Sequence, residues 1–163
     1  MDQPDADHSD LIAADDLDVT CLSALLDDAG IDHESGGEEG AIYVTGLAFP
    51  FWLTLGEADE GVHLFSHWML RDQADGIEAL RFVNALNCET LMVQFSLPEP
   101  GRAVWGHYWL SCRHGLTIAP FLRSLHRFAG SFAKAVAQGR ALDLLRAPGK
   151  AAVEAGASGD VLH

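Results

Sequence analysis

The stretch Leu91-Met-Val-Gln-Phe-Ser-Leu-Pro-Glu-Pro-Gly-Arg-Ala-Val-Trp-Gly-His-Tyr-Trp-Leu-Ser111 decides how this chain folds. Leu91, Val93, Phe95 and Leu97 alternate with Met92, Gln94 and Ser96, the period of two of a half-buried strand. Pro98-Glu-Pro-Gly101 cannot continue a hydrogen-bonded ladder, so it supplies the loop of a hairpin. The returning strand puts Val104, Gly106, Tyr108 and Leu110 on one face and Trp105, His107, Trp109 and Ser111 on the other.

The flanking sequence builds outward from this hairpin. Upstream, Asp75 opens a helix whose Ile77, Leu80, Val83 and Leu86 share a stripe with Phe82, and which ends near Asn87–Thr90. Before it come strands at Ala41–Thr45, Pro50–Leu55 and Val62–Leu70, the last two joined by turn chemistry at Glu57–Gly61; they read as an antiparallel meander. Both faces of Val62–Leu70 carry bulky groups, so part of each face should be covered. Leu17, Leu22, Leu25, Leu26 and Ala29 mark a first amphipathic helix, capped by Asp15 or Asp16 and closed at Gly30. Ser35–Gly40 reads as a loop, or equally as a wide hairpin turn.

Downstream, Thr117 is placed to cap a third helix with the long stripe Ile118, Phe121, Leu122, Leu125, Phe128, Ala129, Phe132 and Val136. Gly139 is its expected stop, followed by a short turn over Ala141–Arg146. The order is α-β-β-β-α-β-β-α, an α+β class with a five-stranded antiparallel sheet. Residues 1–14 are expected to form an acidic flexible tail, 15–139 the domain, and 140–163 a short helix with a frayed tail.

Composition excludes several classes. The chain has 163 residues, 48% of them apolar, with eight Phe and four Trp, so it is not globally disordered. No apolar run approaches the ~20 residues that cross a bilayer, and the acidic start is unlike a secretory leader. Ten Lys and Arg against 24 Asp and Glu give a charge of −14, which repels nucleic acid. The first 60 residues hold 16 acids and no Lys or Arg, whereas Arg102–Lys150 holds eight bases and one acid. Such asymmetry suits steering of partners or a solvated tail beside a polar helix face. Three scattered cysteines, Cys21, Cys88 and Cys112, fit a reduced cytoplasmic protein and neither a disulfide framework nor a zinc ribbon.

No catalytic constellation stands out. His63 and His67 are four apart, about 13 Å along a strand, too far for one metal ion. Cys112-Arg-His114 is a two-ligand fragment, and Cys21 and Cys88 have no neighbouring cation to activate them, so buried inert thiols are expected. No metal and no cofactor is assigned. The tryptophans Trp52, Trp68, Trp105 and Trp109 all fall on strands. Their preferred place is the layer between sheet and helices. The alternative gives Trp105 and Trp109, with His107 between them, to a partner groove or ligand cleft.

The run Glu78-Ala-Leu-Arg-Phe-Val-Asn-Ala-Leu-Asn87, followed by the alternating strand, resembles the YbjN-type proteins, described as bacterial sensory transduction regulators. Asn84 and Asn87 match the family's Asn-x-x-Asn helix end, Leu91–Cys112 its hairpin and Ile118–Val136 its C-terminal helix. The resemblance spans about residues 16–138. It implies a fold similar to type III secretion chaperones, a twisted antiparallel sheet with helices mainly on one face, homodimeric and without a catalytic site. Asn84 and Asn87 are expected to be structural, bonding backbone groups where the helix gives way to the strand.

The expected function is therefore non-enzymatic: a protein-interaction module, sensory transduction regulator or chaperone-like adaptor, binding a protein partner and neither membrane nor nucleic acid. Trp105, His107 and Trp109 are the expected contacts, with Arg123, Arg127 and Lys134 selecting acidic segments. The alternative is a small-molecule binder or enzyme using His63, His67, His107 and the aromatics.

Overall fold

Alternation is longest in two nine-residue runs, β5 (Gly61–Met69) and β7 (Ala103–Ser111), and these pair antiparallel over their whole length, from Gly61 opposite Ser111 to Met69 opposite Ala103. The computed structural model describes residues 10–36, 40–56, 61–99 and 101–147. Around the central pair lie β2 (His33–Gly36), β3 (Ala41–Val44), β4 (Phe51–Leu55) and β6 (Gln94–Ser96), giving one antiparallel sheet in the order β2-β3-β4-β5-β7-β6. The helices are α1 (Val19–Asp28), α2 (Gly76–Glu89) and α3 (Ile118–Ala141). The class is α+β, as expected.

The sheet has six strands where five were expected. The extra strand is β2, in which Ser35 and Gly36 pair with Ile42 and Ala41 across a wide hairpin, the second of the two readings of that stretch. Residues 37–39 of that loop lie outside the described residues. A separate two-stranded ladder joins β1 (Leu11–Ile12) to β8 (Leu116–Thr117), so the end of the segment expected as a tail lies against the entry to α3. Thr117, placed in β8, makes no side-chain cap. At α1 the cap is Asp18 rather than Asp15 or Asp16, which form a 3-10 turn; the Asp18 carboxylate accepts the Cys21 N–H at 2.7 Å. Asp75 caps α2 as expected, accepting from Ile77 and Glu78 at 2.9 Å.

The core fills the space between the sheet and the helices. Ile42, Val44, Phe51, Leu53, Val62, Leu64 and Val104 project from the strands, and all are buried. They meet Leu22 and Leu26 of α1, Phe82, Val83 and Leu86 of α2, and Phe121, Leu125, Phe128 and Phe132 of α3. Phe51 packs edge-on to Phe128 with centroids 5.1 Å apart. Gly106 in β7 is the close approach that α3 needs: a Cβ there would stand 2.7 Å from the Phe132 ring. Gly139 does not stop α3. It is buried in the helix against Leu145, because the chain turns at Asp143 (φ 60°) and brings Leu144 and Leu145 back into the core, where Leu145 bridges to Leu70. The expected helical turn over 141–146 is therefore a return to the sheet.

The edge at β6 is closed by a side chain. The Asn87 amide donates to the Phe95 carbonyl at 2.9 Å and accepts the Phe95 N–H at 2.8 Å. Phe95 thus bonds through both backbone groups to Asn87, while Gln94 and Ser96 flank it in the ladder with β7. The side-chain amide stands in for a neighbouring strand, which an open edge would otherwise recruit. Asn87 keeps helical backbone inside α2, so the left-handed conformation is not how it acts. Asn84 is exposed, and among the described residues no carbonyl takes a hydrogen bond from it, contrary to the expected role. The strand itself is shorter than expected: Leu91 is 103% exposed and outside the ladder.

Replacing Asn87 by Ala should lower stability by about 1–3 kcal/mol, since two backbone groups lose their partner. Asn84→Ala should change it by no more than ~0.5 kcal/mol, as an exposed substitution. Urea denaturation checks both, with faster hydrogen exchange at the Phe95 amide only in Asn87→Ala. Gly106→Ala should cost about 1–3 kcal/mol by overpacking, partly relieved when combined with Phe132→Leu.

Candidate functional site

The same alternation that feeds the core sends a second set of side chains to the opposite face of the sheet. From β5 these are His63, Phe65 and His67; from β7, Trp105, His107 and Trp109; from β3 and β4, Tyr43 and Trp52. Most are half-buried by one another, and Trp109 is 49% exposed. Among the described residues no helix packs on this face, since all three bury their apolar sides in the core on the other. This overturns the preferred placement of three tryptophans. Trp52, Trp105 and Trp109 are on the open face, and Trp68 alone lies on the core side, stacked edge-on to Phe49 with its indole N–H bonded to the Arg146 carbonyl.

The rings form one layer. Trp105 and His107 are 8° from parallel at 5.8 Å, His63 and His107 10° at 5.3 Å, and Phe65 and Trp105 16° at 6.2 Å. His67 lies 4.8 Å from Trp105. Neighbouring strands repeat at about 4.8 Å, so diagonal and facing rings are in contact range, and parallel offset stacking satisfies their quadrupoles. At one end the Trp109 ring lies over the start of β5, where Gly61 leaves room: a Cβ would meet Trp109 Cζ2 at 2.7 Å.

The imidazoles are held neutral. His63 Nε2 and His107 Nδ1 are 3.1 Å apart, a hydrogen bond that requires one nitrogen to donate and the other to accept. Burial among the rings, together with the neighbouring His107, pushes His63 down to about 4. Burial lowers His67 and His107 as well. From β4 to β6 this face bears no Asp, Glu, Lys or Arg among the described residues; Glu34 sits out on the edge strand β2. The layer is therefore uncharged at neutral pH, and it carries no cation that would hold a carboxylate substrate.

The expected contacts fall into two groups that the fold keeps apart. Trp105, His107 and Trp109 are together on the open face. Arg123, Arg127 and Lys134 are exposed on α3, whose inner side packs on the core, so they lie across the molecule from the rings. The histidines are neither dispersed nor enclosed: His63, His67 and His107 share one open surface. A shallow cleft of about 470 Å³ lies elsewhere, lined by Arg71, Asp72, Gln73, Arg146 and Ala147, and its arginines are paired with Asp143 and Asp72. Cys112 is buried and Cys21 partly so, and burial raises both thiols, but Cys88 is exposed, against the expectation for it. Among the described residues no group of three or more metal-ligating side chains forms.

Sequence reasoning found His63, His67, Trp105, His107 and Trp109, five of the eight rings on this face. Phe65, Tyr43 and Trp52 were missed, although His63-x-Phe65-x-His67 and Trp105-x-His107-x-Trp109 are matched runs at the strand period. Their likeness was the available signal.

Fold and face together define an α+β sheet domain with helices on one side and an open aromatic layer on the other. The chain belongs to the YbjN family, whose model, described as "Putative bacterial sensory transduction regulator", matches residues 18–137. Two solved structures are similar in fold. One is YbjN of E. coli, described as "a putative transcription regulator", with a TM-score of 0.68 at 17% identity over 81% of this chain and 97% of that one. The other is an uncharacterized protein from Methanothermobacter thermautotrophicus, with a TM-score of 0.59 at 11% identity over 77% and 99%. No curated protein matches the chain. Among the described residues no helix is long and apolar enough to cross a membrane.

The depressed imidazoles link stability to pH. In the unfolded chain a histidine takes up its proton near 6.5, whereas folded His63 resists until about 4. Unfolding therefore binds protons in that window, and stability falls as pH drops from 6.5 to 4, flattening below. The loss from His63 is on the order of 1 kcal/mol, after discounting for the solvent that still reaches the ring. Thermal unfolding of wild type and His63→Phe across pH 4–7 isolates it, with the variant expected to show the shallower dependence. Imidazole NMR should place the His63 midpoint lowest of the three.

Proposed function

We propose that this protein is a non-enzymatic interaction module, a regulator that works by holding another polypeptide against the open face of its sheet. The observation that supports it is the stacked layer of Trp105, His107, Phe65 and His67, with Trp109 tilted against His63 beside it, left without a helix over it among the described residues. Trp side chains dominate binding energy where they can be fully desolvated by a partner, and they lose little entropy on doing so. A flat ring layer also accepts apolar side chains from an extended segment, in the manner of a chaperone-like adaptor.

The catalytic or small-molecule alternative has less behind it. It asks for an enclosed space around the histidines, and the described cleft is elsewhere. The cations of α3, Arg123, Arg127 and Lys134, supply a second contact on the opposite side, suited to acidic segments. The free thiols of Cys21, Cys88 and Cys112 suit a reducing, cytoplasmic setting.

The test compares three immobilised baits in lysate of the native cell: wild type, Trp105→Ala with Trp109→Ala, and Arg127→Ala with Lys134→Ala. Quantitative mass spectrometry should show a set of proteins reduced at least tenfold with the tryptophan variant and retained with the α3 variant. Far-UV circular dichroism must first show that the tryptophan variant is folded. Equal capture by wild type and the tryptophan variant removes the reading.

A further inference from the structure

In a chain of net charge −14, the 24 residues of α3 carry Arg123, Arg127, Lys134 and Arg140 and no Asp or Glu. Arg123, Arg127 and Lys134 are four and seven residues apart. At 3.6 residues per turn they fall within about 40° of one another around the axis, a cationic stripe about 16 Å long. All three are exposed, and among the described residues none has an ion-pair or hydrogen-bond partner.

The ladder of β1 with β8 anchors an acidic segment at one end of this stripe. From Ile12 back to Leu11 the antiparallel partner advances from Leu116 to Thr117, and α3 starts at Ile118. The chain before Leu11 is therefore held beside the entry to α3. Its sequence is Asp2-Gln-Pro-Asp-Ala-Asp-His-Ser-Asp10, four carboxylates with no Lys or Arg; residues 1–9 lie outside the described residues. The spacings of the two charge sets agree. Asp7, Asp5 and Asp2 are two and three residues apart, about 6.6 and 10 Å in an extended chain. The three cations follow one another at about 6 and 10.5 Å along the helix. Reach agrees too: Asp2 is roughly 27 Å of extended chain from Asp10, and Lys134 is about 24 Å along the axis from Ile118. The segment after Ala147 is a poorer match, since Lys150 offsets one of its two acids, Glu154 and Asp160.

We propose that residues 2–9 lie extended along α3, with Asp7 against Arg123, Asp5 against Arg127 and Asp2 against Lys134, a built-in occupant that an acidic partner segment must displace. The proposal rests on the reading of α3 as a contact for acidic segments, and it names what regulates that contact. Exposed ion pairs each contribute little, so three of them would hold a free peptide poorly. Attachment through β1 changes this, because a short tether holds the carboxylates at an effective concentration in the millimolar range. The contact is then reversible and sensitive to salt, which screens exposed charges.

Lys134 and Lys150 are the chain's two lysines, so zero-length carbodiimide coupling of carboxylate to amine reads the contact directly. With the full chain at 5 µM in 20 mM NaCl, peptide mass spectrometry should find Lys134 joined to Asp2 or Asp5 in the monomer fraction. The yield should fall at least fivefold in 500 mM NaCl. It should fall as far in Arg123→Gln with Arg127→Gln, in which both reacting groups are intact. Anisotropy of a fluorescein-labelled peptide of residues 1–10 is the second measurement. Asp2→Asn, Asp5→Asn and Asp7→Asn combined should bind it at least tenfold more tightly than wild type, and adding Arg127→Ala with Lys134→Ala should remove the gain. Coupling unchanged by the arginine pair overturns the proposal, as does coupling confined to a covalent dimer, where the segment of a second copy fills the stripe. No coupling at Lys134, with the peptide bound equally by wild type and the triple variant, sinks the self-docking and leaves α3 standing as a contact for acidic segments. Coupling as expected, with a triple-variant bait that captures no protein beyond those of wild type, supports the docking and sinks the partner reading of α3.

Discussion

The pairing of β5 with β7 is the constraint on which the rest depends. Nine consecutive residues on each strand are in register, so every side chain is committed to one of two faces, and a slip of one residue would exchange the two sets. A slip of β5 would take Val62 and Leu64 out of the core and put His63 and Phe65 into it; a slip of β7 would exchange Val104 for Trp105 and His107. The core could not hold them: Gly106 is there so that Phe132 can sit against the backbone, and no ring fits in its place. The helix α3 therefore reads the register of the sheet through one glycine.

Much of this partition is legible in the sequence, but not its sign. Period-two alternation locates both long strands, and the three-and-four spacing locates the three helices. Deciding which face is core is harder, because both faces of β5 and β7 carry large groups. The informative residues are the small ones. Ser66 and Gly106 pair across the strands on the core side, where an incoming helix needs room, and Ser66 is further satisfied by the Pro50 carbonyl at 2.9 Å. Tryptophan content alone misleads here, since bulk suggests burial while the geometry of Gly106 excludes it.

Other elements were illegible for local reasons. The β2 strand is written in Glu34, Ser35 and Gly36, residues with weak strand preference, and it exists because β3 offers it a ladder. Leu91 continues the alternation of β6 but falls before the strand, because Asn87 sets the point at which the chain joins the sheet. Tertiary contacts overrode propensity in both cases. The return of Leu144 and Leu145 to the core depends on Asp143 in a left-handed turn, a conformation that no periodicity announces.

Asn87 and the ring layer are two answers to one problem. An antiparallel sheet with helices on a single side leaves two kinds of unsatisfied surface: backbone groups at its edges and a broad face of side chains. Hydrogen-bonding groups at an edge recruit any strand, whatever its sequence, and Asn87 closes that route at Phe95. Aromatic rings recruit by shape and desolvation, so they discriminate between partners where a bare backbone cannot. Closing the indiscriminate surface while leaving the selective one open is what the proposed binding role would require of such a fold. The neutral imidazoles fit the same logic. A protonated ring on that face would charge the layer and favour water over a partner, and the burial that lowers their proton affinity keeps the surface uncharged at neutral pH.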